Sequence, residues 1–378
     1  MNKTTEEGAG ISLRKQLIGG LAAFGLMAVL PFLSVSGNGS TQPRVSAKEE
    51  VSVLAVAVQQ DTAADTPPSS AAQQDTAADT PQSSAAQQDT TPAQPTDTLT
   101  DQEKGEGVFR ILDTHSGNIV TVDDRTFCYG AVAYEMPPSY EKEALKAQCV
   151  ACYTHFSRWR QLQREQPDPE LKGADFKADL SRNEYYFSDE ALRDKWGTLY
   201  ESCHQRLQEA VDECFGEVLR EEDGTLLQVA YGALSSGVTE DAKDIFGFAS
   251  EHLQSVASPF DRTAPSYCTT VQVSCDEMLR QLDGQDKTSV HAIGTPERTS
   301  AGTVLTVTIG TKTYTGAELR ERFGLRSANF TLEDKGDSFV FTVLGYGHGV
   351  GMSQYGANEM AKQGASYHEI LAHYYHFS

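Results

Sequence analysis

The nonapeptide QQDTAADTP occurs at Gln59–Pro67 and again at Gln73–Pro81, and a third start, QQDT, follows at Gln87, a period of fourteen residues. After Leu54 this region has almost no large aliphatic or aromatic side chain, so it cannot bury enough apolar surface to offset the entropy of ordering it. A solenoid built on the repeat fails for the same reason, because no copy offers a hydrophobic face. Residues 36–106 therefore read as a disordered linker, and the fold is confined to residues 107–378. As a flexible coil, roughly sixty residues reach about 40–45 Å, enough to hold a domain away from a surface.

Ahead of the linker, Leu17–Val35 is nineteen residues without a charge, and Arg14 and Lys15 precede it. As a helix it spans about 28 Å, the thickness of a bilayer core. Basic residues on its N-terminal side predict a cytoplasmic tail (1–16) and an extracytoplasmic remainder. A cleaved signal peptide is the alternative, since Ser34-Val35-Ser36 offers small residues at a cleavage spacing. The segment exceeds the usual apolar core of a signal peptide, about 7–15 residues, which favours a single-pass membrane anchor.

The formal charge is −22, of which residues 40–105 carry only −7 through ten acidic and three basic residues. An acidic folded part argues against nucleic acid as a partner, and against any anionic polymer held by charge alone. Seven cysteines in a chain placed outside the cell exclude a fully paired disulfide framework.

Within residues 107–378, GVFRIL and NIVTV read as two opening strands. A helix is predicted from Ser139, with Leu145, Cys149, Cys152, Phe156 and Trp159 on one face by their spacing of four, three, four and three. A second helical run covers Asp189–Glu217, and Leu226–Leu234, LLQVAYGAL, reads as a buried strand ending at Ser235-Ser236-Gly237. Residues 270–324 give two or three strands, with TVLTVTIG and KTYT as a hairpin and a short helix on either side, an inserted lobe. SFVFTVLG is a further strand, then come a helix from Ser353 and a last one opened by Ser366 and Glu369 at capping-box spacing. The order predicts α+β, helices with short antiparallel sheets, rather than alternating βαβ units.

The stretch GYGHGVGMSQYGA, Gly345–Ala357, places five glycines in thirteen residues. Each costs a regular element about 0.5–1 kcal/mol against alanine, so the backbone must pass close to something. A dinucleotide fingerprint is excluded because no βαβ unit follows, and a phosphate loop because no GK[ST] is present. Replacing Gly349 or Gly351 is expected to weaken ligand binding more than the fold.

A zinc site is one further alternative: Cys149, Cys152 and His155 recur along the first helix, and Cys203-His204 would complete the set. Against it, Cys149 and Cys152 lie on the apolar face, where cysteine behaves as a small hydrophobe. His368, His373 and His376 read as surface residues. Ser235 and Ser236 read either as substrate hydrogen-bonders or as a turn that needs small residues, since no G-x-S-x-G elbow is present. Glu135 follows the apolar FCYGAVAY and precedes Met136 and two prolines, which hold it on rigid backbone. Apolar neighbours are the setting that raises a carboxyl towards the range of a general acid.

Three blocks carry a resemblance. EMPPSYEKEALKAQCVACYTHF, SSGVTEDAKDIFG with HLQSVASPFD, and GYGHGVGMSQYGANEMAKQGASYHEILAHYY resemble, in order from Arg110 to Tyr375, the signature stretches of the SpoIID/LytB family. The resemblance implies a SpoIID-like fold and a lytic transglycosylase that cuts between N-acetylmuramic acid and N-acetylglucosamine in peptidoglycan strands stripped of their stem peptides, with no cofactor. It implies Glu135 as the catalytic acid. Lys146 and Gln148 of the first block, Ser235, Ser236 and Thr239 of the second, and His348, Gln354 and Tyr355 of the third are the glycan contacts it implies. A cell-wall amidase and other engulfment proteins are the implied partners. The rival within the family is a non-enzymatic amidase enhancer; a pure wall-binding module is disfavoured, since such modules are short and repeated. Three positions depart from the family pattern: Tyr153 for an arginine, His155 for a tyrosine and Val238 for a glycine.

Overall fold

The computed structural model describes residues 107–376. The cytoplasmic tail, the apolar segment 17–35 and the repeat linker expected from sequence lie outside the described residues. Among the described residues no helix is long and apolar enough to cross a membrane.

Strand β1 (Val108–Asp113) pairs antiparallel with β2 (Ile119–Asp123) across a turn that the Asp113 carboxylate closes by accepting from the His115 and Ser116 N–H groups. A third strand, β3 (Phe176–Ala178), adds in parallel to the other edge of β1. Asp123 then caps helix α1 (Asp124–Glu135) by accepting from the Thr126 N–H at 3.0 Å. The apolar stretch FCYGAVAY is the body of this helix, with Phe127, Cys128, Ala131 and Val132 fully buried. Its end is set by Met136, which turns extended (φ −127°, ψ 144°) as a residue before proline must.

Helix α2 (Lys142–Glu165) begins at Lys142 rather than Ser139, because Pro137–Tyr140 closes a turn in which the Tyr140 N–H donates to the Pro137 carbonyl at 3.0 Å, and Glu141 then serves as the cap. Its predicted face is buried at Leu145, Cys149, Cys152 and Phe156, and Trp159 packs half-buried at the edge. Phe109, Phe127, Phe156 and Phe176 form the centre of the main core, with ring centroids 4.7 Å apart for the first pair and 4.8 Å for Phe127 and Phe156. A buried ion pair ties α2 to the start of α1: Arg160 Nη1 lies 2.8 Å from Asp124 Oδ1, and the Tyr153 hydroxyl donates to Asp124 Oδ2 at 3.0 Å.

The second helical run is two helices, α3 (Asp189–Trp196) and α4 (Tyr200–Cys214). Gly197 separates them with φ +49°, a conformation that ends a helix cheaply only at glycine. Leu226–Leu234 is not one strand. Only β4 (Tyr231–Gly232) forms a ladder, in parallel with Met352–Ser353, while Leu226 and Leu234 make single bridges to Arg220 and Tyr346 and the segment is largely buried. A short α5 (Ala242–Phe246) follows, opened by Asp241.

The smaller lobe has its own core, built on Met278, Leu282, Ile309, Leu319, Phe339 and Phe341. Strand β5 (Cys268–Ser274) leads into α6 (Cys275–Gln281), and β6 (Glu297–Arg298), β7 (Val304–Ile309) and β8 (Lys312–Thr315) form an antiparallel sheet whose β7–β8 hairpin follows the predicted TVLTVTIG and KTYT. Thr315 and Glu318 make a capping box for α7 (Gly316–Phe323). Strands β9 (Phe330–Asp334) and β10 (Ser338–Leu344) complete a second sheet, with β10 between β5 and β9. The apolar residues of this lobe therefore run past Gly324 as far as Val343. The chain returns to the main core through β11 (Met352–Ser353), α8 (Gln354–Lys362) and α9 (Tyr367–Tyr375), the last opened by the Ser366–Glu369 capping box. The class is α+β, although β1–β3 and β4–β11 pair in parallel.

Candidate active site

Glu135 is the last residue of α1, at the end of the helix where the backbone dipole disfavours negative charge. Its side chain is half-buried between Tyr134 and Met136, both buried. Burial pushes its carboxyl up to about 7 from an ordinary 4.5, against the opposing pull of a hydrogen bond from Gln354. That hydrogen bond is the centre of a buried chain of contacts. Gln354 Nε2 donates to Glu135 Oε2 at 3.1 Å and to Gln148 Oε1 at 3.3 Å. Gln148, fully buried on α2, donates its own Nε2 to Cys152 Sγ at 3.1 Å, and the Cys152 thiol donates to the Tyr231 hydroxyl at 3.4 Å. Burial, and then the charge of Glu135, push that thiol up to about 12, so Cys152 stays protonated and serves the chain as a donor. Glu135 also acts on the buried phenols of Tyr134, Tyr185 and Tyr231, whose ionisation burial itself opposes first. The acid is thus set among groups that stay neutral.

Gln354 is held by its own helix start. Ser353 caps α8 by accepting from the Gly356 N–H at 3.1 Å and donates to Asp261 Oδ1 at 2.7 Å. The other oxygen of Asp261, a residue with no exposed surface, accepts from the N–H and the hydroxyl of Ser235. There is no slack at this junction: a Cβ on Gly356 would lie 2.2 Å from the Tyr374 hydroxyl and 2.5 Å from that of Ser258.

The glycine-rich stretch passes close to the chain itself. Gly345, Gly347, Gly349 and Gly351 all take positive φ, between 73° and 105°. A Cβ on Gly351 would sit 2.0 Å from the Ala230 carbonyl oxygen, and one on Gly345 would sit 2.9 Å from that of Leu234. These close approaches are made to residues 230–235, the segment that runs into the second block. His348 belongs to the same packing: its Nδ1 accepts from the Val350 N–H at 3.0 Å and the ring is hydrogen-bonded to the Tyr231 backbone. Burial holds its pKa down to about 3, so it is a neutral ring whose bonds brace the loop.

The comparisons agree with the three blocks. The family model described as SpoIID, stage II sporulation protein, matches residues 113–220. Stage II sporulation protein D of Bacillus subtilis (strain 168) is 33% identical over 266 residues, covering 70% of this chain and 76% of that protein. Its counterpart from Bacillus amyloliquefaciens is 34% identical over 282 residues, covering 74% and 79%. The chain belongs to the SpoIID family. It is also 24% identical over 300 residues to the amidase enhancer of Bacillus subtilis (strain 168), across 65% of this chain but 39% of that protein.

In this SpoIID-family chain the structure brings Glu135, Gln148 and Gln354 together, with Tyr355 following in the first turn of α8, half-buried, its N–H donating to the Ala233 carbonyl at 3.1 Å. The other expected glycan contacts are elsewhere. Lys146, two residues before Gln148 and so on another side of α2, pairs with Glu143 at 2.8 Å and Glu213 at 3.3 Å and lies over the Tyr367 ring. The Ser235 hydroxyl is committed to Asp261. Thr239 is fully buried, its hydroxyl accepting from the Val256 N–H at 2.8 Å. Ser236 donates to the Ala301 carbonyl at 3.0 Å, and His348 braces the loop as described. The hydroxyls of Ser235, Ser236 and Thr239 and the imidazole of His348 are engaged with the protein itself, satisfying the tight packing around the second and third blocks.

The zinc set does not converge either. Cys149 is hydrogen-bonded to the Cys128 and Cys214 thiols, Cys152 to Gln148 and Tyr231, His155 to the Val229 backbone, and His204 Nδ1 to the Tyr129 hydroxyl at 2.7 Å. Among the described residues no group of three or more His, Cys, Asp or Glu is arranged to hold a metal. Tyr231 has no spacing signal because it lies between the first and second blocks, whereas Cys152 stands in the first block one helical turn after Gln148. Asp261 did have one, as the last residue of the SPFD in the second block.

Proposed function

We propose that this chain is a lytic transglycosylase that cleaves the bond between N-acetylmuramic acid and N-acetylglucosamine in denuded peptidoglycan strands, anchored by its N-terminal segment and acting during sporulation beside a cell-wall amidase. The observation that carries the reading is the state of Glu135. It is an acid with a pKa near 7, clamped by one amide, and no second carboxylate acts on it among the described residues. Glycosidases that use water or a covalent intermediate need a pair of carboxylates. One acid suffices where the attacking group belongs to the substrate. Protonated Glu135 gives its proton to the glycosidic oxygen as the bond from C1 breaks. The C6 hydroxyl of the same sugar then attacks C1, and the Glu135 carboxylate takes the hydroxyl proton, leaving a 1,6-anhydro end and the acid as it began.

The test uses the full chain in detergent and amidase-treated glycan strands, with products read by mass spectrometry. Anhydro-ended fragments from the wild type and none from Glu135→Gln are expected. Strands that bind the wild type yet stay intact would replace this reading with the enhancer role that the 24% identity to the amidase enhancer makes the alternative.

A further inference from the structure

A second buried carboxylate lies where the two lobes meet, outside the Glu135 chain of contacts. Glu240 is 3% exposed. Its Oε1 accepts from the Thr303 N–H of the smaller lobe at 3.3 Å, while Oε2 has no hydrogen-bond partner among the described residues. The side chain lines a small crevice, with room for little more than one water-sized group, whose walls come from both lobes: Ser236, His348 and Gly349 on one side, Thr303, Ser327 and Asn329 on the other. Leaving a buried carboxylate oxygen unmatched is costly, and native proteins keep few such groups. Burial accordingly holds the Glu240 carboxyl above its usual range, opposed by hydrogen bonds from the Thr303 and Thr299 hydroxyls and from the Thr303 N–H.

Most side-chain donors of the pocket are engaged within the protein. Ser236 gives its hydroxyl proton to the Ala301 carbonyl at 3.0 Å, Ser327 gives its own to the Leu344 carbonyl at 2.6 Å, and Asn329 Nδ2 donates to Ala301 at 3.0 Å. What remains directed at a ligand is oxygen lone pairs, those of Glu240 foremost. Such a pocket rejects anions. It is also poor for a hard divalent cation, which needs several charged oxygens where this pocket has one carboxylate. It suits a neutral group that donates hydrogen bonds, and at this size it takes a single hydroxyl or N–H of a ligand whose ring stays outside.

We propose that this pocket is a glycan subsite in which Glu240 accepts a hydrogen bond from a hydroxyl or acetamido N–H of a sugar residue bridging the two lobes. The proposal rests on the glycan reading above but not on its chemistry. The probe is the β-1,4-linked tetramer of N-acetylglucosamine, titrated calorimetrically into the full chain in detergent, with Glu135→Gln and Glu240→Gln alongside. Glu240→Gln places an amide N–H₂ where a donor must be received, so affinity is expected to fall about tenfold. Its Tm is expected to hold or rise, because an unmatched buried carboxylate has been removed. Unchanged affinity overturns the subsite even if the wild type cleaves strands normally. A Tm that falls together with affinity overturns it too, by making Glu240 a strut between lobes, as does a wild type that does not bind the tetramer. A wild type that binds through Glu240 yet releases no anhydro products from denuded strands leaves the subsite standing and removes the transglycosylase reading alone.

Discussion

Gln354 Nε2 lies 3.1 Å from Glu135 Oε2, although the two residues are 219 positions apart in sequence. The first block supplies the acid and the third supplies the amide that holds it, so neither block is an active site alone. Because this hydrogen bond favours the charged carboxylate, Gln354 keeps the acid from rising still further. Gln354→Leu is expected to move the alkaline limb of the cleavage profile to higher pH and to slow cleavage about 10–100-fold through lost alignment. A variant with slower cleavage but an unmoved limb would show that the amide does not act on Glu135.

The pH dependence of stability has a definite sign. The folded carboxyl of Glu135 holds its proton to about 7, whereas the unfolded one releases it near 4.5. The contribution of this group is therefore fully present below pH 4.5 and is lost as pH rises through about 7. Glu135→Gln should match the wild type near pH 4 and exceed it in Tm near pH 8, a crossover that melts at several pH values read directly. Cleavage by the wild type should fall above about pH 7, where the acid loses its proton.

Gly351 sits at φ +73° with the Ala230 carbonyl oxygen in the place of any Cβ. Gly351→Val combines a backbone conformation foreign to β-branched residues with overpacking, and is expected to cost about 3–5 kcal/mol in urea unfolding. This reverses the expectation from sequence, in which binding suffered more than the fold. A variant of wild-type stability that fails to bind glycan would restore it.

Asp261 receives Ser235 and Ser353 in a site with no solvent. Asp261→Ala strands three donors and frees the start of α8, so a loss of more than about 3 kcal/mol is expected, with slower cleavage as Gln354 loses its anchor. Stability within about 0.5 kcal/mol of wild type would mean that water replaces the carboxylate.

The sequence was most legible where the signal is local. The Ser366–Glu369 capping box, the hairpin of TVLTVTIG and KTYT, and the opening strands are formed as spacing and turn chemistry predict. The helix that carries Glu135 was hidden because its body, FCYGAVAY, is apolar nearly all round and gives no amphipathic period. The break at Gly197 depends on a single positive φ within a polar run. The motifs contain Glu135, Gln148 and Gln354, which the fold joins by hydrogen bonds, but spacing could not tell a polar group open to a ligand from one that faces another motif. Ser235, Thr239 and His348 are of the second kind, and only the packing of residues 230–240 against 345–351 distinguishes them.

The smaller lobe leaves the main core and returns to it at one point. Cys268 pairs with Leu344 at the ends of β5 and β10, and the Gly345 N–H donates to the Tyr267 carbonyl at 2.8 Å. Seventy-odd residues are thus a detour whose entrance and exit touch. In design terms the lobe is a cassette. It can be lengthened, exchanged or replaced by a few glycines between Tyr267 and Gly345 without rethreading the helices that hold Glu135, which makes one wall of the Glu240 pocket replaceable independently of Glu135.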